Sequence, residues 1–243
     1  MPSGPKENAV KYVIGAPVHQ RAWVLADWLA YLLEQDIPFD DTVLLVNYGE
    51  STDGTLDIIE HARDAAPWTV EVINSEAEGH LAERRWSFER YKFMARLRNT
   101  LLRRVRELEP DFYLSIDTDI LLPPKSLKTL EVELRAANID AISPLLYLTP
   151  KGTSYPNAMT LPKGRRPKVM NYTFRADAVF AAVLMSPNMY MSTDYAAHPL
   201  GEDIGWALNA ARNGMTMGLC PHIKAKHVMN PEMLDVTDER VGF

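Results

Sequence analysis

Two aspartates separated by a single residue, Asp117 and Asp119, follow an apolar run that ends at Ile116. Side chains alternate along a strand, so both carboxylates project in roughly the same direction. Burying two uncompensated anions is costly, and carboxylate oxygens are ligands that suit Mg²⁺ and Mn²⁺. The pair therefore predicts a divalent-metal site that could neutralise a diphosphate. A solvated strand end carrying two acids is the simpler alternative.

The first half of the chain alternates between apolar runs and segments of helical periodicity. The predicted strands are Lys11–Pro17, Thr42–Val46, Thr69–Ile73 and Asp111–Ile116, and the predicted helices are Trp23–Glu34, Gly54–Ala65 and Ala82–Leu108. This order is typical of an α/β domain with a mostly parallel sheet, in which ligands bind at the carboxyl ends of the strands. The segments Gly15–Arg21, Asn47–Asp53 and Asp117–Asp119 all fall at that edge.

The second half of the chain has a different pattern. It predicts a helix to Ala137, a strand Ala141–Leu148, a long loop over 149–168, a strand Val179–Met185, a helix that opens at Gly201-Glu202-Asp203, a strand Met215–Cys220 and a tail with His222 and His227. No internal repeat and no domain linker is evident, so we expect one domain.

The composition is that of a globular protein of 243 residues, with 47% hydrophobic residues and a net charge of −6. This charge gives no general reason to expect a nucleic acid or an anionic membrane as partner. The single Cys220 excludes an internal disulfide and favours a buried core residue in a reducing compartment. No apolar run approaches the roughly 20 residues that a membrane span needs. We therefore expect a cytoplasmic protein without a transmembrane segment.

Two segments are nevertheless basic. Residues 83–106 contain eight arginines and one lysine, and Lys163, Arg165, Arg166 and Lys168 follow in the predicted long loop. Phosphate contacts from such side chains would bind DNA in a salt-dependent way.

Four segments, in this order along the chain, resemble the GT-A class of nucleotide-sugar glycosyltransferases, with affinities to family 2 and to the Anp1-type mannosyltransferases. Val46–Thr55 is similar to a family 2 run with one extra residue, and Ala95–Leu102 ahead of Asp117-Thr118-Asp119 is similar to the Anp1-type segment before the metal motif. Gly201-Glu202-Asp203 is similar to the motif that supplies the catalytic carboxylate, and a late histidine completes the metal shell in many members.

The resemblance implies a single GT-A domain over 1–243, a Rossmann-like, doubly wound, mostly parallel sheet with a short antiparallel portion on the acceptor side. Residues 1–121 would bind the nucleotide sugar and residues 122–243 the acceptor. The implied reaction moves a sugar from a nucleotide-diphosphate sugar to an acceptor hydroxyl with Mn²⁺ or Mg²⁺ as cofactor. The acceptor is a glycan hydroxyl or, given the basic segments, a hydroxymethylated base in DNA.

The resemblance also assigns roles to individual residues. The predicted metal ligands are Asp119, Asp117 and His227, with His222 as the alternative histidine, and Asp203 is the candidate general base of an inverting reaction. In a retaining enzyme Asp203 would position the acceptor or the sugar instead. The predicted contacts of the nucleotide sugar are Pro17, Val18, His19, Arg21, Asn47, Asp53, Arg98, Asn99 and Asp117. Asn47 departs from the usual aspartate, which leaves the donor base open, and Asp53 could equally be a capping residue.

Other functions are compatible with parts of the pattern. A phosphatase of the haloacid dehalogenase type also has two aspartates after a strand, but there the pair usually follows the first strand. A nucleotidyltransferase would normally have a first loop richer in glycine than Gly15–Val18. A nucleotide-binding regulator on a decayed transferase scaffold is disfavoured because both acidic motifs are present.

Overall fold

The computed structural model describes residues 10–75, 87–148, 153–161 and 164–234. The strands are β1 (Tyr12–Val18), β2 (Thr42–Tyr48), β3 (Thr69–Asn74), β4 (Phe112–Ile116), β5 (Ile120–Leu121), β6 (Ala141–Leu148), β7 (Thr153–Tyr155), β8 (Ala158–Met159), β9 (Phe174–Ala176), β10 (Ala178–Val179), β11 (Ala182–Met185) and β12 (Met217–His227). The helices are α1 (Ala22–Leu33), α2 (Thr55–Ala65), α3 (Phe88–Leu108), α4 (Ser126–Ala137), α5 (Pro187–Ser192) and α6 (Glu202–Arg212).

The main sheet has the order β3-β2-β1-β4-β11-β6-β12-β5. Strands β1 to β4 are mutually parallel, β11 is antiparallel to both of its neighbours, and β12 runs parallel to β6. This arrangement confirms the predicted mostly parallel α/β sheet with a short antiparallel portion. The ends of β1, β2, β4, β6 and β12 consequently lie at the same edge of the sheet.

Helices cover both faces of the sheet. On one face, α1 buries Trp28 and Leu32, and α4 buries Leu127 and Leu130. On the other face, α3 packs together with α5 and α6, and Trp206 of α6 is fully buried there. Because both faces are covered, the central strands are mostly apolar and do not alternate regularly with polar residues.

The boundaries of two predicted elements were wrong. Helix α3 begins at Phe88 and not at Ala82, because Ser87 is extended and its Oγ accepts the backbone N–H of Arg90 as an N-cap. Residues 82–86 lie outside the described residues. The predicted strand Val179–Met185 is two strands, since Ala181 has a φ of 69° and the N–H of Ala182 donates to the carbonyl of Phe180 at 2.9 Å.

The predicted loop and tail in the second half contain more structure than expected. Within 149–168 the chain forms β7 and β8, and β7 pairs with β6. The last strand does not end at Cys220 but continues to His227, with a change of register between Cys220 and Lys224. That irregularity interrupts the sequence pattern of the strand. Its second half was therefore predicted as a tail. Cys220 is fully buried, as predicted.

Among the described residues, none of the helices has both the length and the apolar character needed to cross a lipid bilayer.

Helix α6 depends on a glycine for its close approach to the preceding segment. A Cβ atom on Gly205 would lie 1.8 Å from the carbonyl oxygen of Ala196, which is backbone and cannot rotate away. We expect Gly205→Ala to lower the free energy of unfolding by at least about 2 kcal/mol through overpacking, measured by urea denaturation. Ala211→Ser, on an exposed position of the same helix, should change it by less than about 0.5 kcal/mol. Equal stability of the two variants would contradict this packing.

Candidate functional site

The acidic pair lies at the carboxyl end of β4, directly after Ile116. The backbone N–H of Asp117 donates to the carbonyl of Ala181 at 2.8 Å, and the N–H of Ile120 donates to the carbonyl of Asp117 at 3.1 Å. The first bond joins the motif to the strained turn before β11, and the second closes a tight turn that leads into β5. The motif is therefore held by backbone bonds at both ends.

Strand pairing brings His227 to Asp119. The two residues of β5 pair with the end of β12, so that Ile120 lies opposite His227, and the N–H of Val228 donates to the carbonyl of Asp119 at 2.8 Å. As a result, Nε2 of His227 is 3.9 Å from Oδ1 of Asp119. The alternative, His222, is exposed five residues earlier on the same strand, and a strand rises about 3.3 Å per residue. Of these two histidines, the structure places His227 beside the acidic pair.

Arg21 approaches Asp119 from the other side. Its Nη2 is 3.5 Å from Oδ2 of Asp119, and its Nε donates to Oγ1 of Thr118 at 3.2 Å. Burial and the charge of Asp117 raise the pKa of Asp119, while His227 and Arg21 oppose this shift. The carboxylate thus lies between two nitrogen-bearing side chains, at the edge where the central strands end.

A buried guanidinium joins this motif to α6. The side chain of Arg98 is only 3% exposed, and its Nη2 donates to Oδ1 of Asp117 at 2.7 Å. Its Nε donates to Oε1 of Glu202 at 3.3 Å and is 4.0 Å from Oδ1 of Asp203. Burial lowers the pKa of Arg98, but the three surrounding carboxylates outweigh it and keep the group charged.

Asp203 is the second notable carboxyl group of the site. It lies in the first turn of α6, after Gly201 with a φ of 128°, and its side chain is 22% exposed. The pKa of Asp203 is raised to about 8, chiefly by burial and also by Glu202 and Asp117, against a lowering effect of Arg98. A carboxylate that is accessible and has a pKa near neutrality is suited to accept a proton.

Asn99 positions the segment that leads into α6. Its Nδ2 donates to the carbonyl of Tyr195 at 2.9 Å, and its Oδ1 accepts the N–H of Tyr195 at 2.7 Å. The ring of Tyr195 in turn lies 5.5 Å from the guanidinium carbon of Arg98 and is stacked on Trp206. Arg98 and Asn99 therefore bind protein groups in this structure, and contacts of either with a nucleotide stay a prediction.

The loop after β1 meets the loop after β2. Backbone N–H groups of Gln20, Arg21 and Ala22 donate to Oγ of Ser51, Oγ1 of Thr55 and Oδ2 of Asp53. Oδ1 of Asp53 also accepts the N–H and the hydroxyl of Thr55. The carboxylate of Asp53 therefore binds the first residue of α2 and the first residue of α1, and so links the two helices.

The remaining predicted donor contacts differ in their exposure. His19 is exposed and Pro17 is partly exposed at the end of β1, whereas Val18 and Asn47 are buried. Nδ2 of Asn47 donates to the carbonyl of Leu97 at 3.0 Å, and its Oδ1 has no hydrogen-bond partner among the described residues. The structure therefore directs the Asn47 side chain towards α3 rather than to the surface of the crevice.

Two further members of the site were not predicted in these roles. Glu202 was named only as part of the Gly201-Glu202-Asp203 motif, and Tyr195 was not singled out at all. The neighbouring acid of the Gly201-Glu202-Asp203 motif was the available signal for Glu202. Tyr195 offers no comparable signal, since an isolated tyrosine is an ordinary core residue.

At least three of the eight arginines in the basic segment 83–106 are bound by other groups of the protein. Arg104 forms ion pairs with Glu71 and Glu107, and Arg106 donates to the carbonyl of Thr193 and pairs with Asp194. Together with the buried Arg98, these arginines are used inside the protein. The case for DNA as acceptor loses this part of its support.

Three solved structures have a similar fold. S. aureus TarS superposes with a TM-score of 0.61 at 18% identity, over 92% of this chain and 38% of TarS. The mannosyltransferase PcManGT from Pyrobaculum calidifontis, in complex with GDP-Man and Mn²⁺, gives 0.61 at 15% identity, over 92% and 58%. GalNAc-T7 with UDP, GalNAc and Mn²⁺ gives 0.63 at 11% identity, over 92% and 45%.

The chain spans only 38 to 58% of the length of these proteins. No protein-family model and no curated protein matches its sequence. Similarity at such low identity is evidence of a shared fold and not of a shared reaction. The finer affinity to family 2 or to the Anp1-type enzymes stays a prediction. With its mostly parallel sheet, its antiparallel β11 and its acidic pair after β4, the chain has the fold of the GT-A glycosyltransferases.

Proposed function

We propose that this protein is a metal-dependent glycosyltransferase that moves a sugar from a nucleotide-diphosphate sugar to an acceptor hydroxyl. The observation that carries the proposal is the convergence of Asp119, His227, Arg21 and Asp203 at the carboxyl edge of a GT-A sheet. In this fold class, that edge is where ligands bind. TarS has been crystallised with UDP-GlcNAc, and PcManGT with GDP-Man.

Asp119 and His227 are the residues that would hold a divalent ion. Two ligand atoms, each about 2.1 Å from one ion, can lie up to about 4.2 Å apart, so the observed 3.9 Å is compatible with a shared ion. Among the described residues, no group of three His, Cys, Asp or Glu side chains forms a complete ligand set. Mg²⁺-type sites of this kind use one or two protein ligands together with substrate phosphates. A bound Mn²⁺ or Mg²⁺ would neutralise the diphosphate and stabilise it as it leaves.

Asp117 is the weaker candidate for direct ligation. Its Oδ1 already accepts a charge-assisted hydrogen bond from Arg98 at 2.7 Å. Its role would be to bind through a water molecule or to contact the ribose. Arg21, which is 24% exposed beside Asp119, would contact the diphosphate with its remaining N–H groups.

Asp203 would act as the general base. The acceptor hydroxyl oxygen attacks the anomeric carbon, its proton passes to the carboxylate of Asp203, and the bond from the anomeric carbon to the diphosphate oxygen breaks with its electron pair on the nucleotide. The attack occurs on the face opposite the leaving diphosphate, so the configuration inverts. The raised pKa of Asp203 makes its conjugate acid stable enough to hold this proton near neutral pH.

Substitution of the proposed metal ligands should weaken nucleotide binding. In isothermal titration with Mn²⁺ present, we expect UDP or GDP to bind the wild type, and Asp119→Asn and His227→Ala to weaken this binding at least tenfold, because each removes an ion ligand. Asp64→Asn, an exposed acid on α2, is the matched control and should bind like the wild type. Unchanged affinity in both site variants would rule out this ligand set.

Substitution of the proposed general base should impair turnover and not nucleotide binding. Asp203→Asn should lower kcat about 10²- to 10⁴-fold, measured with a donor that the wild type turns over, while nucleotide affinity stays within threefold. Wild-type kcat should rise with pH towards the pKa of about 8, because only ionised Asp203 accepts the proton. Near-normal turnover in Asp203→Asn would exclude this residue as base and favour a retaining mechanism.

The same pKa shift has a consequence for stability. The folded-state pKa of Asp203 is about 8 and its ordinary value is 3.8, so the stability that the protonated group contributes is lost as pH rises between these values. An asparagine carries no such cost. Asp203→Asn should therefore melt at a temperature equal to or above that of the wild type at pH 7.5, in thermal denaturation followed by circular dichroism. A clearly lower melting temperature of Asp203→Asn would contradict this account of the raised pKa.

A further inference from the structure

Arg98 occupies an unusual position between the two functional parts of the site. It projects from α3, is almost completely buried, and contacts carboxylates from two different elements: Asp117 after β4 and the acids Glu202 and Asp203 at the start of α6. Its Nη1 also donates to Oγ of Ser115 at 3.4 Å. A single planar group therefore spans the distance between the acidic pair and α6.

The surroundings of Arg98 restrict its movement. The ring of Tyr195 lies 5.5 Å from its guanidinium carbon, and Tyr195 is fixed by the reciprocal bonds to Asn99 and by stacking on Trp206. Tyr195 also donates its hydroxyl to Ser115 at 3.4 Å. The guanidinium is thus held from the side of α6 and from the side of β4.

The charge balance explains why a cation is needed there. When ionised, Asp117, Glu202 and Asp203 bring three negative charges against one positive charge. Without Arg98 the carboxylates would repel one another, and the start of α6 would be pushed away from the end of β4. A lysine would supply the charge but not the planar group whose Nε and Nη2 donors reach the two elements at the same time.

We propose, on the basis of the proposed function, that Arg98 is a positioning residue that fixes Asp203 relative to Asp117 across the reaction centre and is not a ligand of the donor. Its effect on the reaction passes through the placement of the base. A displacement of a reacting group by about 1 Å can cost about 100-fold in rate.

The test compares Arg98→Lys with Asp203→Asn and with the double variant. We expect Arg98→Lys to lower kcat 10- to 100-fold with a donor KM within threefold of the wild type. The double variant should be within threefold of Asp203→Asn alone, because Arg98 acts through Asp203. Arg104→Lys on the same helix, whose guanidinium pairs with Glu71 and Glu107, is the matched control and should leave kcat within twofold. Additive losses in the double variant, or a raised KM with unchanged kcat, would overturn the proposal.

A second variant and crystal structures distinguish a failure of the Arg98 proposal from a failure of the proposed function. Asn99→Ala loosens Tyr195 without changing any charge, and it should lower kcat in the same direction as Arg98→Lys. If the wild type turns over no nucleotide sugar, the proposed function fails, and crystal structures of the wild type and Arg98→Lys still decide on Arg98. The carboxylate of Asp203 should lie at least about 1 Å further from Asp117 in the variant, which is the displacement that matters for rate. An unmoved Asp203 would overturn the positioning role.

Discussion

Negative charge gathered at one edge of the sheet is the constraint on which the site depends. Asp117, Asp119, Glu202 and Asp203 meet there, and two such charges about 4 Å apart repel by about 4 kcal/mol at an effective dielectric constant of 20. Arg98 and Arg21 offset this repulsion from opposite sides. The pKa values of Asp119 and Asp203 nevertheless remain raised, chiefly because burial disfavours the ionised carboxyl groups and also because neighbouring acids repel them. A site that remains short of positive charge is suited to attract a divalent cation.

The fold assembles these charges through a few non-local contacts. The short strand β5 turns the chain directly after the acidic pair and pairs it with the end of β12, more than 100 residues later. The close packing of Gly205 against Ala196 lets α6 approach far enough for its first turn to reach Arg98. These contacts must be strong, because they bring together carboxylates that repel one another.

Sequence patterns predicted the first half of the fold better than the second. The four parallel strands were predicted from short apolar runs and from the helical spacing between them, which are local features of the sequence. The acidic pair is visible in the sequence itself. The pairing of β5 with β12 and the turn at Ala181 depend on distant partners, such as the carbonyl of Ala181 that accepts the Asp117 N–H. The extension of the last strand to His227 was missed because the change of register between Cys220 and Lys224 interrupts its sequence pattern.

The candidate site was predictable in its members more than in their roles. Arg98 and Asn99 are donor contacts by resemblance, and this role stays a prediction; in the structure they bind Asp117, Glu202 and Tyr195. The order of residue types along the chain does not show that the side chain of Arg98 points from α3 into the protein interior. Asn47 shows the same limit, because its burial against Leu97 depends on how closely α3 packs on β2.

The decisive measurement for metal-dependent sugar transfer is nucleotide release. It is followed with a panel of nucleotide-diphosphate sugars, first with Mn²⁺ and then with excess EDTA. We expect at least one donor to be hydrolysed or transferred with Mn²⁺, and nucleotide release to stop when the ion is chelated. With Mn²⁺, Asp119→Asn should release nucleotide at least tenfold more slowly than the wild type. Release that continues unchanged in EDTA, or no release from any donor with Mn²⁺, would contradict a metal-dependent glycosyltransferase.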